Sequence, residues 1–234
     1  MRQATRISET NEPFDKSRPV GKQLYQRLRL LIVRGELEPG TRLSEVDLAT
    51  SYNTSRQPVR EAFIKLSEAG LIDIHPQRGS YVSRIDMATV LAAQFVREAV
   101  EADIVRVVSD IVNAKALAEL DAMLLAQALE VKNENPLPFL ALDEAFHRKL
   151  SDIAGQGAGW DFLQPLKTQM DRVRHLSVDQ FPREILFEQH TQIVDAIKSG
   201  NADNAEQKMR IHLRRILDDV PAIAAANSEF FVTE

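Results

Sequence analysis

Between Arg42 and Val82 the hydrophobic periodicity changes twice, and this narrows the folds open to the chain more than any bulk property does. Val59, Ala62, Phe63 and Leu66 fall at i, i+3, i+4 and i+7, the buried stripe of a helix. Ser55 stands ahead of that helix as a candidate cap. Pro58 lies in its first turn, where a missing N–H costs nothing. Upstream, Ser44 caps a short helix through Tyr52. Downstream, Leu71-Ile72-Asp73-Ile74 and Ser80-Tyr81-Val82-Ser83 alternate as two short strands around a His75-Pro76-Gln77-Arg78-Gly79 tip. Helix, tight turn, second helix and β-wing, in that order, predict a winged helix-turn-helix.

Arg56, Gln57 and Arg60 face away from the apolar stripe, at the N-terminal end of the second helix. Guanidinium groups pair there with guanine edges, and helix N-termini favour phosphate. At the wing, Arg78 can enter a minor groove and Gly79 lets the backbone approach closely. With Arg34, Arg42, Ser44 and Ser55, these residues are the candidate contacts to double-stranded operator DNA. The plainer alternative is an amphipathic helix whose arginines are only solvated. Cap, proline, arginines and Arg-Gly wing occurring together argue against it.

Pro39-Gly40-Thr41-Arg42-Leu43-Ser44-Glu45, Ser55-Arg56-Gln57-Pro58-Val59-Arg60-Glu61-Ala62 and Arg78-Gly79-Ser80-Tyr81-Val82 resemble the winged-helix domain of GntR-family bacterial transcription regulators. Gln57 stands where that family most often has Thr, and Asn53-Thr54 replace a common Gly-Val. Gln57 lies on the exposed face, so the change bears on operator preference and leaves the fold alone.

The chain has 234 residues, enough for two domains, and its net charge of −5 argues naively against nucleic acid. The average conceals an asymmetry. Up to Asp86 there are 14 Lys and Arg against 11 Asp and Glu; beyond it, 15 against 23. Only the first part has the sign that phosphate requires. There is no cysteine, hence no disulfide or thiolate metal site. Neither a signal-peptide-like core nor a run of bilayer length is present, so the expectation is a cytoplasmic protein without a membrane partner.

Residues 1–17 read as a flexible arm and 18–85 as the DNA-binding domain. Its first helix starts near Val20, buries Leu24, Leu28, Leu31 and Ile32, turns Lys22, Arg27 and Arg29 outward, and stops at Gly35. Ile85-Asp86-Met87 is the expected hinge. From there to residue 226 only helical periodicity appears. The segments are Met87–Asn113, Ala116–Asn133, Pro136–Ala154, Gly159–Val178, Pro182–Ser199 and Ala202–Ala225, with breaks such as Asn133–Pro136, Gly155–Gly159 and Phe181-Pro182. The expected fold is mainly α: an N-terminal winged helix-turn-helix, then an all-α antiparallel six-helix bundle for effector binding and dimerisation. In the tail, residues 227–234, Phe230 and Phe231 are apolar enough to dock on a partner subunit.

Inside the bundle, Asp143 and His147 stand at i, i+4 beside the core positions Phe139, Phe146 and Leu150. His190 lies on the stripe Leu186–Ile193–Ile197, and His212 on Met209–Ile216–Val220. Three imidazoles and a carboxylate from three helices suit a divalent metal ion: Zn first, with Ni, Mn or Fe also compatible. A histidine on an apolar face is more often a hydrogen-bonded core residue, so both readings stay open on periodicity alone. The segments Leu142–Leu150 and Glu188–Ile197, with His212, resemble the FCD effector domain of the FadR-type branch. The resemblance implies that Asp143, His147, His190 and His212 are metal ligands. It also implies that Arg97, in Arg97-Glu98-Ala99-Val100-Glu101, faces the pocket and binds an acidic effector; otherwise Arg97 and Glu101 form an ordinary surface ion pair. His75 is expected at the wing surface, His175 at a solvated helix end, and Trp160 in packing.

Together these features describe a homodimeric regulator, a repressor by resemblance and not an enzyme. Its bundle would bind metal and a small organic or sugar acid that alters operator binding. Two alternatives are a regulator for which the metal itself is the signal, and a metal-dependent hydrolase on a DNA anchor. For the last, no base is placed for proton transfer; Glu144 is one residue off the ligand face.

Overall fold

The computed structural model describes residues 13–178 and 183–232. Most of the expected N-terminal arm, the Phe181-Pro182 break and the last two residues lie outside them. By contacts, the chain divides into two units. One holds residues up to Thr89, Thr168–Leu176 and the segment from Ala224; the other holds Val90–Lys167 and Ser177–Ile223.

The first unit is built on α1 (Val20–Val33), α2 (Glu45–Ser51) and α3 (Arg56–Glu68), with strands β1 (Arg42–Leu43), β2 (Ile72–His75) and β3 (Gly79–Val82). Leu24, Leu28, Leu31 and Ile32 of α1 meet Val59, Ala62, Phe63 and Leu66 of α3 in one core, each at most 5% exposed. Burying a side chain of this size contributes about 1.5–3 kcal/mol. The Ser44 hydroxyl caps α2 by accepting from Asp47 N–H at 3.2 Å. Ser55 makes no such side-chain bond at the start of α3, contrary to expectation, although its backbone is extended as a cap requires. The antiparallel sheet has the order β1-β3-β2, with Ile72 opposite Val82 and His75 opposite Gly79. β1 has two residues, too few for alternation to betray it; it pairs through Arg42 with Tyr81.

Ile85 begins the expected hinge segment. It is fully buried, donates its N–H to Phe230 O at 2.8 Å and accepts from Val232 N–H at 3.0 Å. The tail therefore docks on its own chain, and Phe231, expected on a partner subunit, is 6% exposed here.

The second unit contains most of α4 (Met87–Ile111), then α5 (Ala114–Glu130), α6 (Leu137–Ile153), α7 (Gly157–Leu166), α9 (Arg183–Lys198) and most of α10 (Ala202–Ala226). Ile104, Val105 and Val108 of α4 pack with Leu120, Phe146, Ile193, Met209 and Leu213. The expected single helix Gly159–Val178 is two: α7, then α8 (Thr168–Leu176), separated at Lys167. Pro165 lies inside α7, where it lacks the N–H that Asp161 O would accept, and the helix ends one residue later at Leu166.

Although its sequence neighbours belong to the bundle, α8 packs with the first unit. Asp171 pairs with Arg29 of α1 at 2.9 Å, Gln169 Nε2 donates to Gly70 O at 2.6 Å, and Arg172 donates to Ser83 O at 2.9 Å. Arg29, expected to face solvent, is thus committed to an ion pair. On the same helix, burial pushes His175 down to about 4, outweighing the attraction of Asp171. It is not the solvated helix end expected. Because the folded value lies below the ordinary 6.5, the unfolded chain takes up this proton first as pH falls. His175 therefore supports stability above about pH 6.5 and withdraws it as pH falls toward 4. A His175→Gln variant should retain about 1 kcal/mol more of its neutral-pH stability at pH 5 than the parent, after discounting for solvent at the ring edge. Thermal melts at pH 7.5 and 5 measure this; equal losses would refute it.

Candidate metal centre and nucleic-acid interface

Helix α6 carries Asp143 and His147 one turn apart, α9 carries His190, and α10 carries His212. All four are buried, at 0%, 1%, 0% and 6% exposure. Each offers one ligand atom, and these atoms lie within 4.8 Å of one another. His212 Nε2 is 3.1 Å from His147 Nε2 and 3.2 Å from His190 Nε2. Asp143 Oδ1 is 3.6 Å from His190 Nε2.

The outer nitrogens determine what the inner ones present. His190 Nδ1 is 2.8 Å from Gln127 Oε1, and His212 Nδ1 is 3.0 Å from Gln189 Oε1. An amide oxygen only accepts, so both Nδ1 atoms carry the proton. His147 Nδ1 lies 2.5 Å from Glu101 Oε2, a close charge contact too oblique to be a well-aligned hydrogen bond. With Nδ1 protonated on His190 and His212, their Nε2 lone pairs face each other at 3.2 Å, and His147 Nε2 stands 3.1 Å from His212 Nε2. A shared cation relieves that arrangement, and the donor set of imidazoles plus carboxylate fits a divalent transition ion. Burial, with the neighbouring His190 and His147 rings, holds His212 well below 6.5 and therefore neutral, as a ligand must be. Phe146 stacks on His190 at 4.3 Å and Trp160 lies parallel to His147 at 6.3 Å, fixing ring orientation.

Arg97 lines the same region from α4 at 4% exposure. Its Nε is 2.5 Å from Glu101 Oε1, while its Nη2 is buried with no hydrogen-bond partner among the described residues. Burial alone would raise Glu101, yet Arg97 and then His147 outweigh it and hold the carboxyl at about 2. The Arg97–Glu101 pair is thus no surface pair. Glu144, off the ligand face, joins Lys167 Nζ at 2.6 Å and Gln164 at 2.8 Å.

Gln127 and Gln189 went unread in the sequence, and Glu101 was read only as the ion-pair partner of Arg97. Gln127 was legible as a polar residue on the stripe Leu120–Leu124–Gln127, and Glu101 as the i+4 partner of Arg97. Gln189 carried no signal.

In the first unit, Arg42, Ser55, Arg56, Gln57, Arg60 and Arg78 are exposed, as is Arg34 at the end of α1. Ser44 is half-buried by its capping bond. Arg56 Nη2 sits 3.3 Å from Glu45, an exposed and weak pair, and Gln57 donates to Glu61 at 3.1 Å. Arg78 N–H donates to His75 O at 3.0 Å across the wing tip, where Gln77 and Gly79 take φ of 63° and 115°. A Cβ at Gly79 would stand 3.1 Å from Arg42 Nε, so the wing and β1 share this surface. His75 is exposed there.

No helix among the described residues is long and apolar enough to cross a membrane. The chain is 40% identical over 222 residues to the HTH-type transcriptional repressor RspR of Escherichia coli K12, covering 94% of this chain and 97% of that one. It is 28% identical over 231 residues to the E. coli HTH-type transcriptional repressor NanR, covering 86% of each. The solved E. coli McbR/YncC structure superposes with a TM-score of 0.73 at 17% identity, covering 88% of this chain and 98% of that chain, a likeness of fold. Residues 21–82 match the description "Bacterial regulatory proteins, gntR family" and residues 93–215 match "FCD domain". With the winged helix-turn-helix ahead of a helical domain, these matches make the chain a transcription regulator that belongs to the gntR family, in the group carrying an FCD domain.

Proposed function

We propose that this regulator is a homodimeric repressor whose helical domain holds a divalent metal ion, with Zn foremost, and binds a small carboxylate that alters operator binding. The observation that carries the reading is the convergence of three buried Nε2 atoms beside Asp143. A bound divalent ion would supply a Lewis-acidic point for a ligand oxygen. Asp143, His147, His190 and His212 would hold it, and Gln127, Gln189 and Glu101 keep the rings in the binding tautomer. The partnerless Arg97 Nη2 then offers a charge-assisted hydrogen bond to the carboxylate. Dimerisation fits the apolar side chains left on this unit: Phe95, Leu129 and Phe162 are 76%, 75% and 80% exposed.

A ligand shifts operator binding only if it prefers one arrangement of the dimer over another. In a two-fold dimer, half-sites lie about one helical turn apart, so a change in recognition-helix spacing breaks register. Gel-shift titration of the chain's own promoter DNA, with metal and with a panel of small acids, tests the reading. An acid that releases DNA only from metal-loaded protein is expected. Release by metal alone would favour the ion as the signal, and turnover of an ester or amide lost in His190→Ala would favour a hydrolase. Because ligation needs neutral imidazoles, the metal-induced rise in melting temperature should fade between pH 7.5 and 5. A rise that stays flat over that range would count against the site.

A further inference from the structure

We propose that Gln94 is a ligand-binding residue, and that it makes the pocket select acids with a hydroxyl near the carboxylate over their deoxy and oxo counterparts. The inference rests on the carboxylate reading above and goes beyond it to the functional group that stands beside the carboxylate.

The buried face of α4 is apolar at Val90, Ala102 and Val105, yet Gln94, Arg97 and Glu101 interrupt it at i, i+3 and i+7. That spacing sets the three on one side of the helix, with successive Cβ atoms about 5–6 Å apart. Both ends of the stripe meet helices of the candidate metal centre. Glu101 lies against His147, and Gln94 Nε2 donates at 2.8 Å to the backbone oxygen of Leu213, the residue after His212.

The Leu213 contact fixes the amide. A carbonyl oxygen only accepts, so the Gln94 NH2 faces it and Oε1 turns the other way. Gln94 is 2% exposed, and its Oε1 is buried with no hydrogen-bond partner among the described residues. One turn along, Arg97 Nη2 is buried and equally without one. Leaving a buried polar group unpaired is costly, so an acceptor and a donor orphaned on one helix face point to a ligand that answers both. Arg97 supplies the donor, and a carboxylate fits it. Gln94 supplies the acceptor, and a hydroxyl fits that. A carbonyl in the same place would set lone pairs against Oε1, and a methylene would leave it unpaired. An ammonium could donate, but it would lie one helical turn from the Arg97 guanidinium where little water screens the two.

Calorimetry on the full-length, metal-loaded protein tests this with three series, each presenting hydrogen, hydroxyl, oxo or amino at one carbon of a fixed skeleton. The series are propionate with lactate, pyruvate and alanine, butyrates varied at the β carbon, and gluconates varied at the α carbon. In the tightest-binding series the hydroxy acid should exceed its deoxy, oxo and amino partners by about tenfold or more. A bound metal also favours hydroxy acids, by chelation, so a variant decides the source. Gln94→Met, close in shape but lacking the acceptor, should bring the hydroxy and deoxy acids within about threefold of each other. Gln94→Leu serves if the melt shows Gln94→Met unfolded. Arg97→Met, by contrast, should weaken all members of a series together. A deoxy, oxo or amino acid binding as tightly as its hydroxy partner in the wild type overturns the role of Gln94 and leaves the carboxylate reading standing; this comparison needs no variant. A hydroxyl preference unchanged in Gln94→Met does the same and assigns it to the metal. If no acid of any series binds, the carboxylate reading falls and this inference with it.

Discussion

Elemental analysis of purified His212→Ala protein should find less than about a tenth of the metal that the wild type retains, because His212 is the ring that meets both others. Its Nε2 lies within 3.2 Å of the Nε2 of each. Losing it leaves two imidazoles and a carboxylate, and it strands the Gln189 amide oxygen that received its Nδ1 proton. The thermal consequence is large. Free metal at about a thousand times its dissociation constant stabilises a native state by about 4 kcal/mol. For a chain of this size that is a rise of roughly 8–16 °C on adding metal to stripped wild type. The variant should show less than about 2 °C at the same concentration. In metal-free protein the substitution has opposing effects, since it relieves crowding among lone pairs but opens a buried cavity. The metal-dependent difference is therefore the diagnostic quantity. Full stoichiometric metal in the variant would reject the cluster as a metal site.

How legible this was in the sequence depended on how local each signal is. Asp143 and His147 are one helical turn apart, and the stripes through His190 and His212 announce their buried faces, so the four candidate ligands could be read from period alone. Their convergence could not, because it depends on how three helices cross. The same holds for the outer shell: Gln189 is unremarkable until His212, from another helix, points its Nδ1 at it. Arg97 and Glu101 at i, i+4 suggested a surface pair, and only packing shows the pair to be buried with its second carboxylate oxygen against His147. In the first unit the α1 and α3 stripes dictated the core correctly, since each is long and strongly periodic. The two-residue β1 and the tail's pairing with Ile85 depend on distant backbone and left no pattern to read. The most instructive miss is α8. Its sequence is helical and continuous with α7 except at Pro165, and nothing local tells that Asp171 answers Arg29 across 142 positions of chain.

Replacing Arg60 by alanine should cost the proposed homodimer roughly 30-fold to 10⁴-fold in operator affinity, at about 1–3 kcal/mol for each of two symmetry-related base contacts. Of the cations at the start of α3, Arg60 is the sharper probe. Arg56 is already engaged with Glu45 at 3.3 Å, while Arg60 is exposed on the face opposite Val59 and Phe63 and forms no ion pair among the described residues. Fluorescence anisotropy at several salt concentrations separates the two roles open to it. If Arg60 reads a base, the loss appears on operator DNA, and the salt slope on a random duplex stays unchanged. If it grips phosphate, binding weakens on both DNAs, and the slope falls by roughly two for the dimer. The substitution removes an exposed side chain without touching the α1–α3 core, so the melting temperature should hold within about 0.5 kcal/mol of stability. That control matters, because a core change such as Phe63→Ala would abolish binding by unfolding the domain and say nothing about recognition. Wild-type affinity for the operator at every salt concentration would show that α3 does not face DNA. The positive surface of this unit would then have to be reassigned to the wing, where Arg78 and Arg42 stand exposed beside Gly79.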